Sequence, residues 1–261
     1  MIRLVMAGVG LLSIAGLVGE ASAADLPAQT YTKAPAFVAP VYDWSGFYLG
    51  INGGGGASHG CWSINNSAGV PVPPAGEGCN TATGGLVGGQ FGYRWQSANW
   101  VFGVEAQGDW ADLKGSSASL VAIIPYNNQT KIDAIGLFTG QIGYAWNSTL
   151  LYVKGGAAVT DNSYSSSFPV SNVFAAAGVP FNASSDTRWG GTVGVGLEFG
   201  FASNWSLGFE YDHLFMGSPN ITFAPTNIAV GRADKIGEGV DIGTVRLDYH
   251  FGGGAPVIAK Y

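Results

Sequence analysis

Charged residues are scarce in this sequence. Only 11% of its 261 residues are Asp, Glu, Lys or Arg, against about a quarter in an average soluble domain, which argues against an ordinary cytosolic protein. The 11 Lys and Arg residues are outnumbered by 17 Asp and Glu residues and form no basic patch, so we expect no nucleic-acid partner. Aromatic residues make up 13% of the chain, which argues against disorder.

Long apolar runs are also missing. The apolar stretch Leu4–Val18 has about 15 residues, fewer than the roughly 20 that a spanning helix needs. It follows Arg3 and precedes the small residues Ala21-Ser22-Ala23, a pattern that predicts a secretory signal peptide over residues 1–23, cleaved after Ala23. No later segment is apolar over 18 residues, so an exported chain of this kind could span a membrane only as a closed barrel.

Cysteine is limited to Cys61 and Cys79. In an oxidising compartment such a pair predicts a disulfide, and the chain-entropy model values a loop of about 19 residues at roughly 3 kcal/mol. His59 lies two residues from Cys61 and raises a metal site as the alternative, but a fourth ligand is hard to find. We therefore predict no metal and no cofactor.

A period of two dominates the segment Arg188–Asp212. Trp189, Val193 and Leu197 share one face of this segment, whereas Arg188 and Glu198 share the other. Successive side chains of a strand point to opposite sides, so the pattern predicts strands that are apolar on one face and polar on the other. The short break at residues 200–204 predicts a hairpin connection.

The same alternation recurs along the chain and predicts an all-β fold, an eight-stranded antiparallel transmembrane up-and-down β-barrel over residues 43–251. The predicted strands begin at Asp43 and at residues 84, 100, 131, 150, 188, 205 and 239. Three connections are short, whereas four are long and are predicted as loops over residues 57–83, 112–130, 161–186 and 214–238. A Pro-rich linker over residues 24–42 and a tail over residues 252–261 are predicted to flank the barrel.

The positions of the charged residues and of the tryptophans follow this alternation. The inward positions are predicted to form a lumen charge network, and the outward positions between the rims are predicted to carry no charge. The predicted network consists of Arg94, Glu105, Asp109, Lys131, Asp133, Lys154, Arg188, Glu198, Glu210, Asp212, Arg246 and Asp248. Tryptophans near the strand ends predict two aromatic girdles at the membrane interfaces: Trp44, Trp95, Trp100, Trp146 and Trp205 at the short-turn rim, and Trp110 and Trp189 at the other.

Three segments carry a family resemblance: residues 23–27 (Ala-Ala-Asp-Leu-Pro), residues 42–48 (Tyr-Asp-Trp-Ser-Gly-Phe-Tyr), and residues 246–251 (Arg-Leu-Asp-Tyr-His-Phe) with the closing residues 259–261 (Ala-Lys-Tyr). The chain resembles the alphaproteobacterial porin-family small outer-membrane proteins, the 25/31-kilodalton immunogenic class with an OmpA-type barrel. The resemblance implies a surface-exposed protein of the outer membrane of a Gram-negative bacterium. It leaves open whether Phe251 or Tyr261 is the assembly signal.

Function is less constrained than fold. We expect no enzyme, because alternation points Asp212 inward and His213 outward, which denies His213 the neighbouring acid that would orient it. We expect a structural and surface-interaction role with outer-membrane lipid and lipopolysaccharide as partners and extracellular ligands bound through the long loops. A passive small-solute porin is the alternative, and a lipid-modifying barrel enzyme is the second alternative.

Overall fold

The structure is a computed structural model that describes residues 42–67, 69–120, 125–172, 176–225 and 231–251. The predicted signal peptide, nearly all of the predicted linker, and the tail with Tyr261 lie outside these residues. The described residues form nine strands: β1 (Gly46–Ser67), β2 (Val70–Ser97), β3 (Trp100–Ala118), β4 (Asn127–Trp146), β5 (Thr149–Ser167), β6 (Pro180–Ala202), β7 (Trp205–Phe215), β8 (Asn220–Pro225) and β9 (Arg232–His250). The described residues contain no helix that is long and apolar enough to cross a membrane.

Eight of these strands close into a ring. Each of β1 to β7 pairs antiparallel with its sequence neighbour, β7 pairs with β9, and β9 returns to pair with β1. The predicted all-β, up-and-down barrel is therefore confirmed. The ninth strand, β8, is a short addition that pairs with the first residues of β9 and with β6 at two positions.

The pairing register fixes the stagger of the ring. Following paired residues once around the barrel from Phe47 leads back to β1 at Ala57, ten residues further along. The path passes through Tyr93, Val104, Gly140, Gly155, Val193, His213 and Asp241. An eight-stranded ring with strands tilted by about 40° has an interior just wide enough for side chains to fill.

The strands are much longer than predicted. The region 57–83 was predicted as a loop, yet β1 continues to Ser67 and β2 begins at Val70. In the same way β8 and the start of β9 occupy most of the region 214–238. The prediction relied on apolar outward residues, and backbone pairing continues where those residues give way to polar ones.

The start of the barrel also differs from the prediction. Gly46 has a φ of 117°, a conformation that favours glycine, and β1 begins there rather than at Asp43. The chain before Gly46 therefore does not continue the alternation of β1. Trp44 is fully buried and packs against Tyr42 and His250 inside the short-turn end. The prediction that Trp44 belongs to the outer girdle is wrong.

An irregularity in β4 reverses which side chains face inward. The pairing of β4 with both neighbours shifts register between Ile132 and the residues that follow it, so Leu137 and Ile132 are both buried in the interior. Lys131 and Asp133 instead form an ion pair on the outside, where their side chains are 41% and 34% exposed. The prediction that these two residues face the lumen is wrong, because a bulge inserts one residue into the period of two.

Candidate functional site

Exposed tryptophans lie at two levels on the outside of the barrel, which we call the two tryptophan rings. Trp95, Trp100, Trp146 and Trp205 are exposed at the short-turn end. Trp110 and Trp189 are exposed toward the other end, and Trp110 reaches 76%. The outward side chains between the rings are mostly large and apolar, including Phe91, Phe209 and Val195. Amphipathic rings that flank an exposed apolar band mark the two interfaces of a membrane.

The barrel continues well beyond the ring of Trp110 and Trp189. We call this part the extension; it comprises residues 58–67, 69–83, 112–120, 125–133, 161–172, 176–188, 216–225 and 231–239. Its outward positions carry Ser, Thr, Gln, Asp and Lys side chains such as Lys114, Ser116 and Gln129. The change from apolar to polar outward residues places the extension outside the membrane.

The interior between the two rings holds a dense charge network, which we call the lower network. Arg246 forms ion pairs with Glu210 at 2.7 Å, with Asp248 at 2.8 Å and with Glu105. Lys154 contacts Asp212 at 3.1 Å and also pairs with Glu210. These side chains are almost completely buried, so each charge depends on its partners for compensation.

The lower network brings together eight of the twelve residues that were predicted to line the lumen. Arg94 and Glu198 complete it with an ion pair of 2.8 Å. Asp109 is also buried inside, where it accepts a hydrogen bond from Gln107. Arg188 lies higher, in the extension.

Two tyrosines belong to the lower network and were missed as site residues. The Tyr48 hydroxyl donates to Glu105 at 2.7 Å, and the Tyr152 hydroxyl donates to Glu210 at 2.6 Å. The Arg94 guanidinium lies 4.4 Å from the centroid of the Tyr48 ring. Both tyrosines occupy inward positions in the alternation, and that parity was the signal that could have identified them.

An apolar layer closes the interior above the lower network, and the sequence did not predict it. Its residues are buried and come from β2, β3, β4, β5, β7, β9 and the residue after β7: Ala82, Leu86, Leu113, Ile132, Ile135, Leu137, Ala158, Leu214, Met216, Val240 and Ile242. Leu113 follows Trp110 by three residues, so the layer lies near the level of the upper tryptophan ring. The polar interior of the barrel is therefore interrupted by an apolar layer.

Inside the extension, a polar layer is again followed by an apolar layer along the barrel axis. Glu238 accepts hydrogen bonds from Ser58 at 2.6 Å, Tyr164 at 2.8 Å and Arg188 at 3.1 Å. Above this cluster, a second apolar cluster is formed by buried side chains from four strands: Trp62, Tyr164, Ile221, Phe223 and Ile236. The sequence predicts a loop around Trp62, whereas in the structure Trp62 belongs to β1 and its side chain fills the interior.

A second charge network, the upper network, occupies the far end of the extension. Arg232 forms ion pairs with Glu77 at 3.0 Å and with Asp234 at 2.5 Å. Tyr126 and Asn128 donate hydrogen bonds to Glu77 at 2.5 and 2.8 Å. The pKa of Asp234 is raised to about 6. Burial is the main cause, the positive charge of Arg232 opposes it, and the negative charge of Glu77 adds to it. These residues lie in stretches predicted as loops, where no strand pattern assigned them a face.

The predicted disulfide is present and joins β1 to β2 within the extension. Cys61 of β1 and Cys79 of β2 are paired directly opposite each other and are bonded. Among the described residues no group of three or more His, Cys, Asp or Glu side chains could hold a metal ion.

His213 has an acidic partner after all. As predicted, Asp212 is buried inside and His213 points outward. However, the His213 Nδ1 atom lies 2.6 Å from Asp241 on β9, and the Tyr211 hydroxyl donates to the same carboxylate at 2.5 Å. Asp241 is an outward acid near the upper tryptophan ring, so the prediction that outward positions between the rims carry no charge is wrong there. Within the described ranges no Ser, Thr or Cys side chain hydrogen-bonds the His213 ring.

Comparison with known proteins decides the family. The family model described as outer membrane protein beta-barrel domain matches residues 11–251. The chain belongs to this outer-membrane β-barrel family. It is 30% identical over 223 residues to the 31 kDa outer-membrane immunogenic protein of Brucella melitensis, covering 83% of this chain and 90% of that protein.

Two further matches are consistent with the family. The 22 kDa outer membrane protein of Rhizobium leguminosarum is 30% identical over 175 residues, covering 67% of this chain and 65% of that protein. The crystal structure of the outer membrane protein OprG from Pseudomonas aeruginosa superposes with a TM-score of 0.54 at 13% identity, covering 80% of this chain and 98% of OprG, a likeness of fold alone. The predicted resemblance and the outer-membrane location are confirmed. Short turns face the periplasm in such barrels, which predicts that the extension is extracellular.

Proposed function

We propose that this outer-membrane β-barrel is a closed scaffold with a structural and surface-interaction role, and that its extension carries ligand binding. The observation that carries the proposal is the filling of the interior. Across the band between the tryptophan rings, the lower network and the apolar layer follow each other along the barrel axis. A conducting pore needs a continuous aqueous path, and a ring of eight strands leaves little space beside such side chains.

The extension supports the second half of the proposal. It consists of paired strands that are joined by the Cys61–Cys79 disulfide and by the ion pairs of the upper network. Binding residues are commonly displayed on segments that a rigid scaffold holds in place. Here the scaffold presents a polar outer surface beyond the membrane, where extracellular ligands are accessible.

Conductance in planar bilayers tests the closed state. We expect the purified full-length protein to show no large, stable open channels. A variant that loosens the lower network, such as Arg246→Ala, should admit ions more readily than a variant of the exposed Lys235. Large, stable channels in the wild-type protein would support the passive-porin alternative and contradict the proposal.

Surface binding is tested on whole cells. Cells that display the wild-type protein should bind other cells or envelope polysaccharide more strongly than cells that display a barrel whose extension strands are shortened to tight turns above Trp110 and Trp189. The shortened barrel must still show the altered gel mobility on heating that indicates folding. Equal binding by both forms would contradict a binding role for the extension.

The His213–Asp241 pair is the observation that keeps the enzyme alternative testable. A lipid-modifying activity would require a nucleophile that His213 could activate. The assay is release of fatty acid from outer-membrane lipid by the wild-type protein and by His213→Asn. We expect no release by either; release that is lost in His213→Asn would support the enzyme.

A further inference from the structure

A groove lies on the outer surface of the extension, apart from the interior networks. It has a volume of about 900 Å³ and is lined mainly by outward residues of β3, β4, β5, β6 and β8, together with the buried Thr130 and Tyr164. Drug-sized ligands occupy pockets of roughly 300–1,000 Å³, so the groove is large enough for a ligand of several sugar rings.

The groove begins directly above the level of Trp110. Lys114 in its lining follows Trp110 by four residues on β3. Four residues of a strand tilted by about 40° rise roughly 10 Å along the membrane normal. Trp110 marks the upper interface, so the groove faces the zone where lipid headgroups lie.

The groove's chemistry combines cations with hydroxyl groups. Lys114 and Lys131 are directly opposite each other on β3 and β4, an arrangement in which like charges repel. Each lysine pairs with a nearby carboxylate, Lys114 with Asp112 and Lys131 with Asp133, but both ammonium groups remain substantially exposed. Five serines and Gln129 complete most of the outward polar lining.

The placement of these lysines is unusual within the protein. Of the eight Lys and Arg residues in the described ranges, five are buried inside the barrel. Among these eight described residues only Lys114, Lys131 and Lys235 point outward, and the first two line this groove. Ammonium groups bind phosphate as compact point charges, whereas serine hydroxyls and a carboxamide can donate to and accept from sugar hydroxyls.

We propose that this groove binds the phosphorylated sugar headgroup of a glycolipid in the outer leaflet. Lys114 and Lys131 contact its phosphate, and the serines and Gln129 contact its sugar hydroxyls. The membrane is the source of the ligand because the groove opens within the headgroup zone beside the tryptophan ring. This inference rests on the proposed surface-binding role and names the ligand class for one face of the extension.

Native mass spectrometry of the folded full-length protein in detergent tests the site, with bisphosphorylated lipid A as the probe. Lys114→Gln/Lys131→Gln should weaken binding by roughly tenfold or more, because two charge-assisted contacts to phosphate are lost. Lys114→Arg/Lys131→Arg keeps both charges and should bind within a few-fold of wild type. Lys235→Gln is the matched control, since Lys235 is an outward lysine that does not line the groove.

Three results would overturn the inference: no binding by the wild-type protein, equal loss in the double glutamine variant and in Lys235→Gln, or equal binding of lipid A and its dephosphorylated form. A deacylated, water-soluble sugar phosphate distinguishes the sources. If it binds as tightly as lipid A, the ligand is a free saccharide and not a membrane glycolipid. This measurement does not depend on channel conductance. The glycolipid inference can therefore fail while the closed-barrel proposal stands.

Discussion

The membrane-embedded part of the barrel and the extension are built from the same strands but have opposite outer surfaces. On β6, Val195 and Thr187 lie on the same outward face, eight residues apart. Val195 faces the bilayer, whereas Thr187 lies beyond Trp189 and faces water. The backbone pairing of β5 with β6 continues through both positions. Pairing of backbone groups is needed in either solvent, whereas the outward side chains follow the solvent they meet.

The interiors of the two parts are alike. Each contains a buried arginine that pairs with several carboxylates, Arg246 below and Arg232 above. Each also contains an apolar cluster that excludes water from the barrel axis. The inside of a narrow barrel is therefore determined by packing and by charge compensation, whether lipid or water surrounds it.

The largest effect is expected from breaking the lower network. Arg246→Met leaves Glu105, Glu210 and Asp248 without their shared cation, and removal of one partner from a buried ion-pair cluster costs about 3–5 kcal/mol. Urea unfolding in lipid vesicles should detect a loss of this size. Lys114→Gln removes an exposed cation and should leave the unfolding free energy unchanged. An equal loss of unfolding free energy in both variants would contradict the view that buried charges need their partners and exposed charges do not.

The second effect concerns the two outer surfaces. Val195→Arg places a charge against lipid near the middle of the band and should cost about 2–4 kcal/mol of folding free energy. Thr187→Arg makes the same addition on the same strand and face but in water, so it should change stability by less than about 0.5 kcal/mol. Both are measured by urea unfolding in vesicles. Similar costs at the two positions would place the membrane boundary elsewhere.

The smallest effect is a pH dependence in the upper network. Asp234 has a pKa of about 6 in the folded protein and about 3.9 in an unfolded chain, so the folded state binds the proton more tightly. Stability must then decrease as the pH rises from about 4 to about 6, by at most about 2–3 kcal/mol. Hydrogen exchange of β9 amides at about pH 4.5 and about pH 7.5 measures this change.

Asp234→Asn removes the titrating group and should reduce this pH difference in the extension. Asp161→Asn is the matched control, because Asp161 is an exposed carboxylate of β5. If Asp234→Asn leaves the exchange profile unchanged at both pH values, the upper network does not titrate as described. Amides of the membrane-embedded strands should be unaffected in either variant.

The sequence predicted best where one face of a strand meets lipid. Phe91, Arg94 and Trp95 have the orientations that their alternation predicted, because apolar outward residues mark the register of the strand. Beyond the bilayer that marker disappears, so the sequence predicts loops where the structure has the strands of the extension. Glu77, Arg232 and Asp234 were missed for the same reason, since polar residues on both faces give no indication of which one points inward.

The fold class, the family and the disulfide could be predicted from the amino-acid sequence, because solvent-driven alternation and a single pair of cysteines are local features of the chain. Tertiary structure alone decided the bulge that turned Lys131 outward, the burial of Trp44, the apolar layer across the barrel and the pairing of His213 with Asp241. Each of these depends on the register between strands that are distant in sequence. A shift of one residue in that register exchanges inside for outside, and only the closed ring fixes it.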